Sequence, residues 1–269
     1  MKLKVLERIP SFQQQVEKVL TEDNRIGYKK KIISNFSWWT FDQSDLFERE
    51  IKVLNLLDKK INNIYFEILD LQEKEFFIEE IPRNHSCNKE QKIYLIIELL
   101  NVFRKIQSLG LDNVNFPFIV ENLVKNGEKA KIEKKLLEEI KTIIKKWKDK
   151  YDSFNCFVHG DLDLNNIFFG DCKISGLIDF EETIISQPQF DAVNISWSIS
   201  EALGKNYYDL FSQKFESAFK EKLIPLDEWK RFCLIRNWIA SCYLERCCSR
   251  AAKERAKNFI FKLPPSFNF

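Results

Sequence analysis

The spacing of hydrophobic and polar residues changes near residue 85. Before that point, short strand-like stretches from Lys2 to about Ile33 predict a small antiparallel sheet. A helical pattern follows over residues 46–61, and Ser44-Asp45 can cap its first turn. The first third of the chain therefore predicts a sheet followed by one helix.

Two further apolar runs predict a hairpin at the end of this first segment. The runs cover residues 64–69 and 76–81, and Pro82 stops the second one. Together with the sheet and the helix, this hairpin would complete an N-terminal lobe over residues 1–82. The remaining residues, 83–269, would then form a second lobe.

The second lobe is predicted to be mainly helical. A strong helical pattern runs to Gly110 and another covers about 129–150, while short apolar runs return from 156 to 180. From residue 190 the pattern is again helical, and only 7 Gly and 7 Pro interrupt the chain. The pattern predicts an α+β protein of two lobes, the first with a small antiparallel sheet plus a helix and the second larger and mainly helical.

Composition narrows the possible functions. The formal net charge is +2, so no global field draws the protein to nucleic acid or to a membrane. Lysines between residues 125 and 150 alternate with glutamates, which favours a solvated helix face and leaves nucleic-acid binding as the minor alternative. The 7 Cys are odd in number and form no CxxC pair, which argues against a disulfide framework or a four-thiolate zinc site. The sequence shows no signal peptide and no apolar run of membrane-spanning length, so we expect a cytoplasmic protein.

One segment carries a pattern that favours phosphoryl transfer. Residues 157–169 read FVHGDLDLNNIFF, and residues 176–181 read GLIDFE. Transfer from ATP needs a carboxylate that orients the attacking hydroxyl and oxygen ligands for Mg²⁺. Asp161 is the candidate catalytic carboxylate, and Asn166 and Asp179 are the candidate metal ligands, because a short hairpin between them would bring both to one cluster.

These two motifs resemble those of the aminoglycoside phosphotransferase and choline kinase superfamily. The H-G-D-L…N-I and I-D-F-E letters of that family stand here in the family's order. The resemblance implies a protein-kinase-like fold and a small-molecule kinase that uses ATP and Mg²⁺. His159 is expected to brace the loop by hydrogen bonds without transferring a proton, and Asp163 and Asn165 are interpreted as bystanders.

The resemblance also implies a lysine that holds the nucleotide phosphates. Lys29 is the first choice because Ile26-Gly27-Tyr28-Lys29 matches V-A-I-K, although the register could slip to the adjacent Lys30 or Lys31. Residues 49–54, REIKVL, match the family's R-E-x-x-V-L. Glu50 is therefore the expected partner of the lysine, with Glu48 as the alternative.

An inter-lobe hinge for adenine is expected in residues 76–82, FFIEEIP. The alignment assigns the carbonyl to Glu79 and the amide to Ile81. One departure from the family is the loop at residues 10–15, which contains no glycine where relatives have a glycine-containing phosphate loop. A nucleotide-binding pseudokinase or scaffold without turnover is therefore the alternative function, and a protein kinase is a weaker one because no A-P-E segment follows the I-D-F motif.

The acceptor is expected to be a small molecule with a hydroxyl group. The I-D-F-E motif with Glu181 is more typical of choline and ethanolamine kinases, whereas H-G-D-L is more typical of aminoglycoside kinases. The motifs therefore do not decide between amino alcohols, aminoglycosides and sugars as the acceptor. Asp191 is expected to support the catalytic loop. Aromatic residues could surround a quaternary ammonium, although helical core is the more common role of such residues; they are Trp197, Tyr207, Tyr208, Trp229, Trp238 and Tyr243.

Overall fold

The computed structural model describes most of the chain. The described ranges are 3–9, 14–22, 24–32, 46–58, 68–72, 75–79, 87–107, 111, 113–151 and 155–247. The predicted cap at Ser44-Asp45 and the first part of the predicted hairpin lie outside them. The helix predicted to run to Gly110 ends earlier, at Arg104, with Lys105 as its C-cap.

The N-terminal segment forms the predicted antiparallel sheet. Its five strands run in the order β1-β2-β3-β5-β4, so the strand that carries the candidate lysines lies in the centre of the sheet. The helix α1 follows β3 in the chain and buries Val53, Leu54 and Leu57. The elements are β1 (Leu3–Ile9), β2 (Gln14–Thr21), β3 (Ile26–Ile32), α1 (Leu46–Asp58), β4 (Ile68–Gln72) and β5 (Glu75–Glu79).

The C-terminal segment is mainly helical, as the pattern predicts. Its helices are α2 (Lys89–Arg104), α3 (Phe116–Lys129), α4 (Lys134–Tyr151), α5 (Gln189–Ala202), α6 (Lys205–Phe219) and α7 (Leu226–Cys247). A capping box starts α2, where Asn88 and Gln91 exchange hydrogen bonds between side chain and backbone. The mixed fold confirms the predicted α+β class, whereas the lobe boundary at residues 82 and 83 lies outside the described residues and stays a prediction.

The sequence pattern missed helix α3. The side chain of Asn115 accepts a hydrogen bond from the backbone N–H of Phe118, and Pro117 lies in the first turn, where its missing N–H has no cost. On the neighbouring helix α4, exposed lysines meet glutamates: Lys141 lies 2.8 Å from Glu138 and Lys146 2.5 Å from Glu228. These pairs agree with the interpretation of this lysine-rich region as a solvated helix face.

Two short antiparallel pairs lie among the helices and hold the candidate site. The strand β6 (Cys156–Val158) pairs with β9 (Ile184–Ser186), and β7 (Ile167–Gly170) pairs with β8 (Lys173–Leu177). A 3-10 turn at Phe180–Glu182 connects β8 to β9 and packs against α1. The predicted hairpin between Asn166 and Asp179 is therefore present.

The core consists of two groups of buried side chains. One joins α1, α2, α5 and α6 around Phe103, Phe157 and Phe180, and the other joins α3, α4, α5 and α7 around Trp147 and Trp229. Within the described part of the chain, no helix combines the length and the apolar character that crossing a membrane requires.

Candidate active site

Asp191 fixes the backbone at the start of the catalytic loop, at His159 and Gly160. The backbone N–H of His159 donates to Oδ2 of Asp191 at 2.7 Å, and that of Gly160 donates to Oδ1 at 3.1 Å. Both bonds are buried or partly buried, so this carboxylate fixes the backbone immediately before Asp161. Burial raises the pKa of Asp191 to about 7, although the two backbone bonds favour its ionised form.

His159 is buried and braces the two motifs against each other. Its Nε2 lies 2.9 Å from the carbonyl of Ile178, and the backbone N–H of Asp161 donates to its Nδ1 at 3.4 Å. Burial lowers the pKa of His159 to about 4, so the ring is neutral near pH 7. A neutral ring that donates from Nε2 and accepts at Nδ1 fits the expected bracing role.

The loop between Asp161 and Asn166 is shaped by Asp163, which the sequence interpretation treats as a bystander. One oxygen of Asp163 accepts the backbone N–H of Asn165 at 2.6 Å and that of Asn166 at 3.1 Å. The D-L-N-N sequence carries this signal, because an aspartate commonly accepts backbone N–H groups two or three residues later. Asp163 therefore turns the chain toward the candidate metal ligand.

Asn166 closes the loop onto its own beginning. Its amide nitrogen donates to the carbonyl of Asp161 at 2.8 Å, which leaves the amide oxygen as the atom that could bind a cation.

Helix α5 adds two contacts to the catalytic loop that the sequence analysis missed. Asn194 donates to the carbonyl of Leu162 at 3.1 Å, and Ser198 accepts the backbone N–H of Leu164 at 3.1 Å.

A buried lysine connects the N-terminal sheet to this loop. Nζ of Lys30 lies 2.8 Å from Oε1 of Glu50 on α1 and 2.6 Å from Oδ1 of Asp179. Asp179 adopts a left-handed backbone with φ of 73°, which turns the chain directly after β8. The same Glu50 oxygen also accepts the backbone N–H of Phe180 at 3.3 Å, so strand β3, helix α1 and the I-D-F motif meet at one point.

The choice of Lys29 is corrected by this arrangement. Successive side chains of a strand point to opposite faces, so Lys29 and Lys30 cannot both face α1. Lys30 is 6% exposed and binds Glu50, whereas Lys29 is half-buried on the other face. The predicted partner Glu50 is thus paired with the neighbour of the predicted lysine, the one-residue slip that the sequence left open.

Three carboxylates surround Lys30. Glu181 is the third, with Oε2 at 3.7 Å from Nζ. Burial favours the neutral amine, but the charges on Asp179, Glu50 and Glu181 raise the pKa of Lys30 above its ordinary value. Burial also raises the pKa of Glu50 and of Glu181, while the charge on Lys30 opposes the rise. The cluster has more potential negative charges than positive ones, which makes it a suitable site for an additional cation.

Asp161 lies close to this cluster of carboxylates. Desolvation, followed by repulsion from Asp179, Asp163 and Glu182, raises the pKa of Asp161 to about 7 even though the residue has access to solvent. A carboxylate with a pKa near the working pH is suited to accept a proton from a hydroxyl group. The catalytic role of Asp161 stays a prediction.

Glycine is the one residue type that the catalytic loop can accept at position 160. Its φ is +86°, and a Cβ built there would lie 2.1 Å from the carbonyl oxygen of Glu182. Any side chain would push apart the catalytic loop and the turn after Asp179. The close approach of these two segments therefore requires the glycine of the H-G-D motif.

The donor set fits Mg²⁺ as kinases hold it. Mg²⁺ prefers carboxylate and amide oxygens and commonly takes one or two protein ligands, with water and substrate phosphates completing its shell. Asn166 and Asp179 offer such oxygens, and the buried Oε2 of Glu50 has no hydrogen-bond partner. Among the described residues, no group of three or more His, Cys, Asp or Glu side chains is arranged to hold a metal ion by itself.

The expected adenine contacts are described only in part. Glu79 is the last residue of β5 and is paired in register with Gly27 of β3, while Ile81 lies outside the described residues. Of the loop at residues 10–15, only Gln14 and Gln15 are described, at the start of β2.

The aromatic residues do not form an obvious cage for a cationic ligand. Trp229 is buried in the core, and Trp197, Trp238 and Tyr243 pack against the same group. The Trp197 ring already faces Nζ of Lys230 at 5.3 Å. Tyr207 packs against the other core group, and Tyr208 is half-buried.

Comparison of the structure with solved proteins shows the same fold. A macrolide 2'-phosphotransferase from Brachybacterium faecium superposes with a TM-score of 0.64 at 12% identity, covering 99% of this chain and 93% of that one. The gentamicin complex of APH(2")-IIa gives a TM-score of 0.60 at 16% identity, with coverage of 98% and 92%. The ternary complex of the same enzyme with streptomycin and ATP gives 0.56 at 16% identity, with coverage of 98% and 92%. Identities this low establish the fold alone.

Sequence comparison adds a family match for part of the chain. A search of curated proteins found no significant match. A family model described as "Phosphotransferase enzyme family" matches residues 113–226, which contain the catalytic loop, the I-D-F motif and Asp191. This match bears out the predicted enzyme class, a phosphotransferase of the kinase type. The resemblance to the aminoglycoside phosphotransferase and choline kinase superfamily is therefore confirmed: residues 113–226 match the model of the phosphotransferase enzyme family, and the chain has the fold of aminoglycoside and macrolide phosphotransferases.

Proposed function

We propose that this protein transfers the γ-phosphoryl group of ATP to a hydroxyl group of a small polar molecule. The observation that carries the proposal is the position of Lys30, whose Nζ joins Glu50 at 2.8 Å and Asp179 at 2.6 Å. A Lys–Glu pair next to a metal-binding aspartate is the arrangement that positions nucleotide phosphates in kinases. It brings the N-terminal sheet to the loop that contains Asp161 and Asn166.

Asp161 orients the acceptor hydroxyl and accepts its proton. Its carboxylate follows a backbone fixed by Asp191, so the acceptor oxygen can be directed at the phosphorus atom. The raised pKa, about 7, makes the carboxylate a stronger base than an ordinary aspartate. The deprotonated hydroxyl oxygen then forms the new P–O bond while the bond to the β-phosphate oxygen breaks.

Lys30 and the metal ligands act on the nucleotide. Lys30, positioned by Glu50, would hold the α- and β-phosphates after exchanging its contact with Asp179 for phosphate oxygens. Asn166 and Asp179 would hold Mg²⁺, with Glu181 beside them. When bound, Mg²⁺ would neutralise charge on the phosphates. Glu79 and Ile81 are proposed to offer their carbonyl and amide to adenine.

Charge near Asp161 favours an acceptor that carries amino groups. The carboxylates of Asp163 and Glu182 both act on Asp161, and Arg236 opposes them there. An amino alcohol or aminoglycoside would therefore meet attraction close to the reacting hydroxyl. Gentamicin and streptomycin are bound by the structural neighbour APH(2")-IIa, which agrees with this class, and neutral sugars are the less favoured acceptors.

The experiment that tests the proposal is ADP release from the purified protein with Mg²⁺-ATP. The acceptor panel contains choline, ethanolamine, aminoglycosides and simple sugars. We expect acceptor-dependent ADP release that Asp161→Ala lowers by about 10²-fold or more, while circular dichroism and ATP binding stay close to those of the original protein. Full turnover in Asp161→Ala would contradict the assignment of this residue.

A pseudokinase without turnover is the second candidate, and the glycine-free loop at residues 10–15 is the observation that favours it. Without glycine, close approach of the backbone to the phosphates is harder. A thermal-shift measurement separates the two candidates. ATP-dependent stabilisation without ADP release for any acceptor would favour the pseudokinase, whereas acceptor-dependent release would exclude it.

A further inference from the structure

The far end of the β7–β8 hairpin contacts the start of helix α2 through two cysteines. Sγ of Cys172 lies 3.8 Å from Oε1 of Gln91, the oxygen that also accepts the backbone N–H of Asn88 in the helix cap. Cys87 immediately precedes Asn88, and its thiol interacts with both the thiol and the backbone N–H of Cys172. Cys172 therefore lies at the start of the helix that Cys87 precedes, and the two cysteines are neighbours across the junction.

The turn that presents Cys172 adopts an unusual backbone. Asp171 and Cys172 have φ values of 49° and 54°, and they connect the paired residues Gly170 and Lys173. Two consecutive left-handed residues favour Asn-Gly, because other side chains are less stable there. The chain nevertheless has a cysteine at the second position, and this conformation brings it to Cys87.

The two thiols differ in accessibility. Cys172 is exposed, whereas Cys87 is 5% exposed, and burial raises the pKa of the Cys87 thiol. Among the other described cysteines, Cys156, Cys233 and Cys242 are buried. An accessible thiol next to a buried one is the arrangement in which the first is oxidised and the second resolves it.

We propose that Cys87 and Cys172 are a peroxide-sensitive thiol pair that closes a disulfide between the β7–β8 turn and the start of α2. A peroxide first oxidises the Cys172 thiolate to a sulfenic acid, and the other peroxide oxygen leaves as hydroxide, which takes up a proton to give water. The Cys87 sulfur then attacks the Cys172 sulfur; the S–S bond forms, the S–O bond breaks, and the oxygen leaves as a second water with the thiol proton. In sum, two thiols and one peroxide give one disulfide and two waters.

The disulfide would link the turn of the β7–β8 hairpin to the start of α2. Asn166 and Asp179 lie at the other end of this hairpin. Residues 87 and 172 are 85 positions apart in the chain, so the bond would close a long loop. The inference rests on the two thiols alone and does not depend on the proposed function. Its test does not require a measurement of enzyme activity.

The test is non-reducing peptide mapping of the full chain after treatment with a few equivalents of hydrogen peroxide. We expect one linked pair of peptides that contains Cys87 and Cys172, about 2 Da lighter than the sum of the two free peptides, and its release by dithiothreitol. The oxidised protein should melt about 5 °C or more above the reduced protein. Cys172 found as sulfinic or sulfonic acid, or linked to another cysteine while Cys87 stays free, would overturn the proposal.

Two variants make the test specific. Cys172→Gly removes one thiol and suits the left-handed turn, so it should fold and lose both the linked peptide and the rise in Tm. Cys242→Ala removes a buried thiol on α7 and should keep both. A rise in Tm on oxidation of Cys172→Gly equal to that of the original protein would also contradict the assignment.

Discussion

Lys30 is the residue on which the proposed nucleotide site depends most directly. Its Nζ is enclosed by Glu50, Asp179 and Glu181, and it is the described lysine that joins the sheet to the I-D-F motif. Lys29 differs from it by one position and by the face of the strand. Replacing either lysine changes the same residue type on the same strand and removes the same charge. The two variants therefore differ only in the face of the strand that they alter.

Lys30→Met should lower kcat/KM for ATP by about 10²-fold or more, because the phosphates lose a positive charge fixed in a buried site. Lys29→Met should stay within about threefold of the original protein, since this side chain lies on the other face. Steady-state kinetics with the best acceptor of the panel measures both, and circular dichroism checks that each variant is folded. A larger loss in Lys29→Met than in Lys30→Met would restore the first sequence prediction.

The titration of Asp161 gives a prediction about stability. Its folded-state pKa is about 7, against an ordinary value of about 3.9 in unfolded chains. The protonated carboxyl group is favoured in the folded protein, so the stability present below about pH 4 is lost as the pH rises toward 7. Above pH 7 the carboxylate is ionised in the folded protein, and the full cost of its raised pKa remains.

Asp161→Asn should therefore raise the Tm of the nucleotide-free protein, with a difference that is small near pH 4 and largest above pH 7. Thermal melts at several pH values between 4 and 8 measure this, and Asp209→Asn on the exposed face of α6 serves as the control. A difference that does not change with pH would mean that the pKa of Asp161 is not raised in the folded protein.

At the scale of elements, the site depends on the close approach of the catalytic loop and the 3-10 turn. Gly160→Ala should lower the free energy of unfolding by about 4 kcal/mol or more, since its Cβ would meet the Glu182 carbonyl at 2.1 Å in addition to the strain of a positive φ. Gly204→Ala is the matched control. Its φ is +97°, but nothing lies within 4 Å of the added Cβ, so strain alone should cost about 1–3 kcal/mol.

Chemical denaturation of the two variants measures the difference. Equal losses would show that the loop and the turn can separate without cost. A larger loss in Gly160→Ala, together with weaker turnover, would confirm that one glycine sets the distance between the two motifs.

Elements with a strong period or a linked motif could be predicted, and elements that depend on register could not. The sheet, the hairpin from Asn166 to Asp179 and the helices after residue 190 follow from pattern alone. Helix α3 was missed because Pro117 in its first turn interrupts the pattern, although Asn115 is a good N-cap. Lys29 was preferred to Lys30 because the letters of V-A-I-K do not determine which face of a strand meets α1.

The same limit applies to the supporting contacts of the loop. Asn194 and Ser198 reach it from α5, which lies about 30 residues later in the chain. Nothing in a local pattern connects such residues to the loop, since only the packing of α5 brings them there. Asp163, in contrast, carries a local signal, because its two partners follow within three residues.

At the scale of the whole molecule, one buried cluster joins the two halves of the fold. Strand β3 provides Lys30, α1 provides Glu50, and the segment after β8 provides Asp179. A nucleotide that replaced the contact between Lys30 and Asp179 would thus bind both halves at once. Its binding should stabilise the entire fold, and part of this stabilisation should depend on Mg²⁺.

Mg²⁺-ATP at about 100 times its Kd should stabilise the protein by about 2.7 kcal/mol and raise the Tm by several degrees. In Asp179→Asn, the shift with Mg²⁺-ATP should fall to the shift with ATP and a chelator, because the variant loses the carboxylate that would hold the metal. Asp171→Asn, at the exposed turn of the same hairpin, should keep the full Mg²⁺-dependent shift, since asparagine tolerates its left-handed backbone. Differential scanning fluorimetry measures all three proteins, and an undiminished Mg²⁺-dependent shift in Asp179→Asn would mean that the metal is held elsewhere.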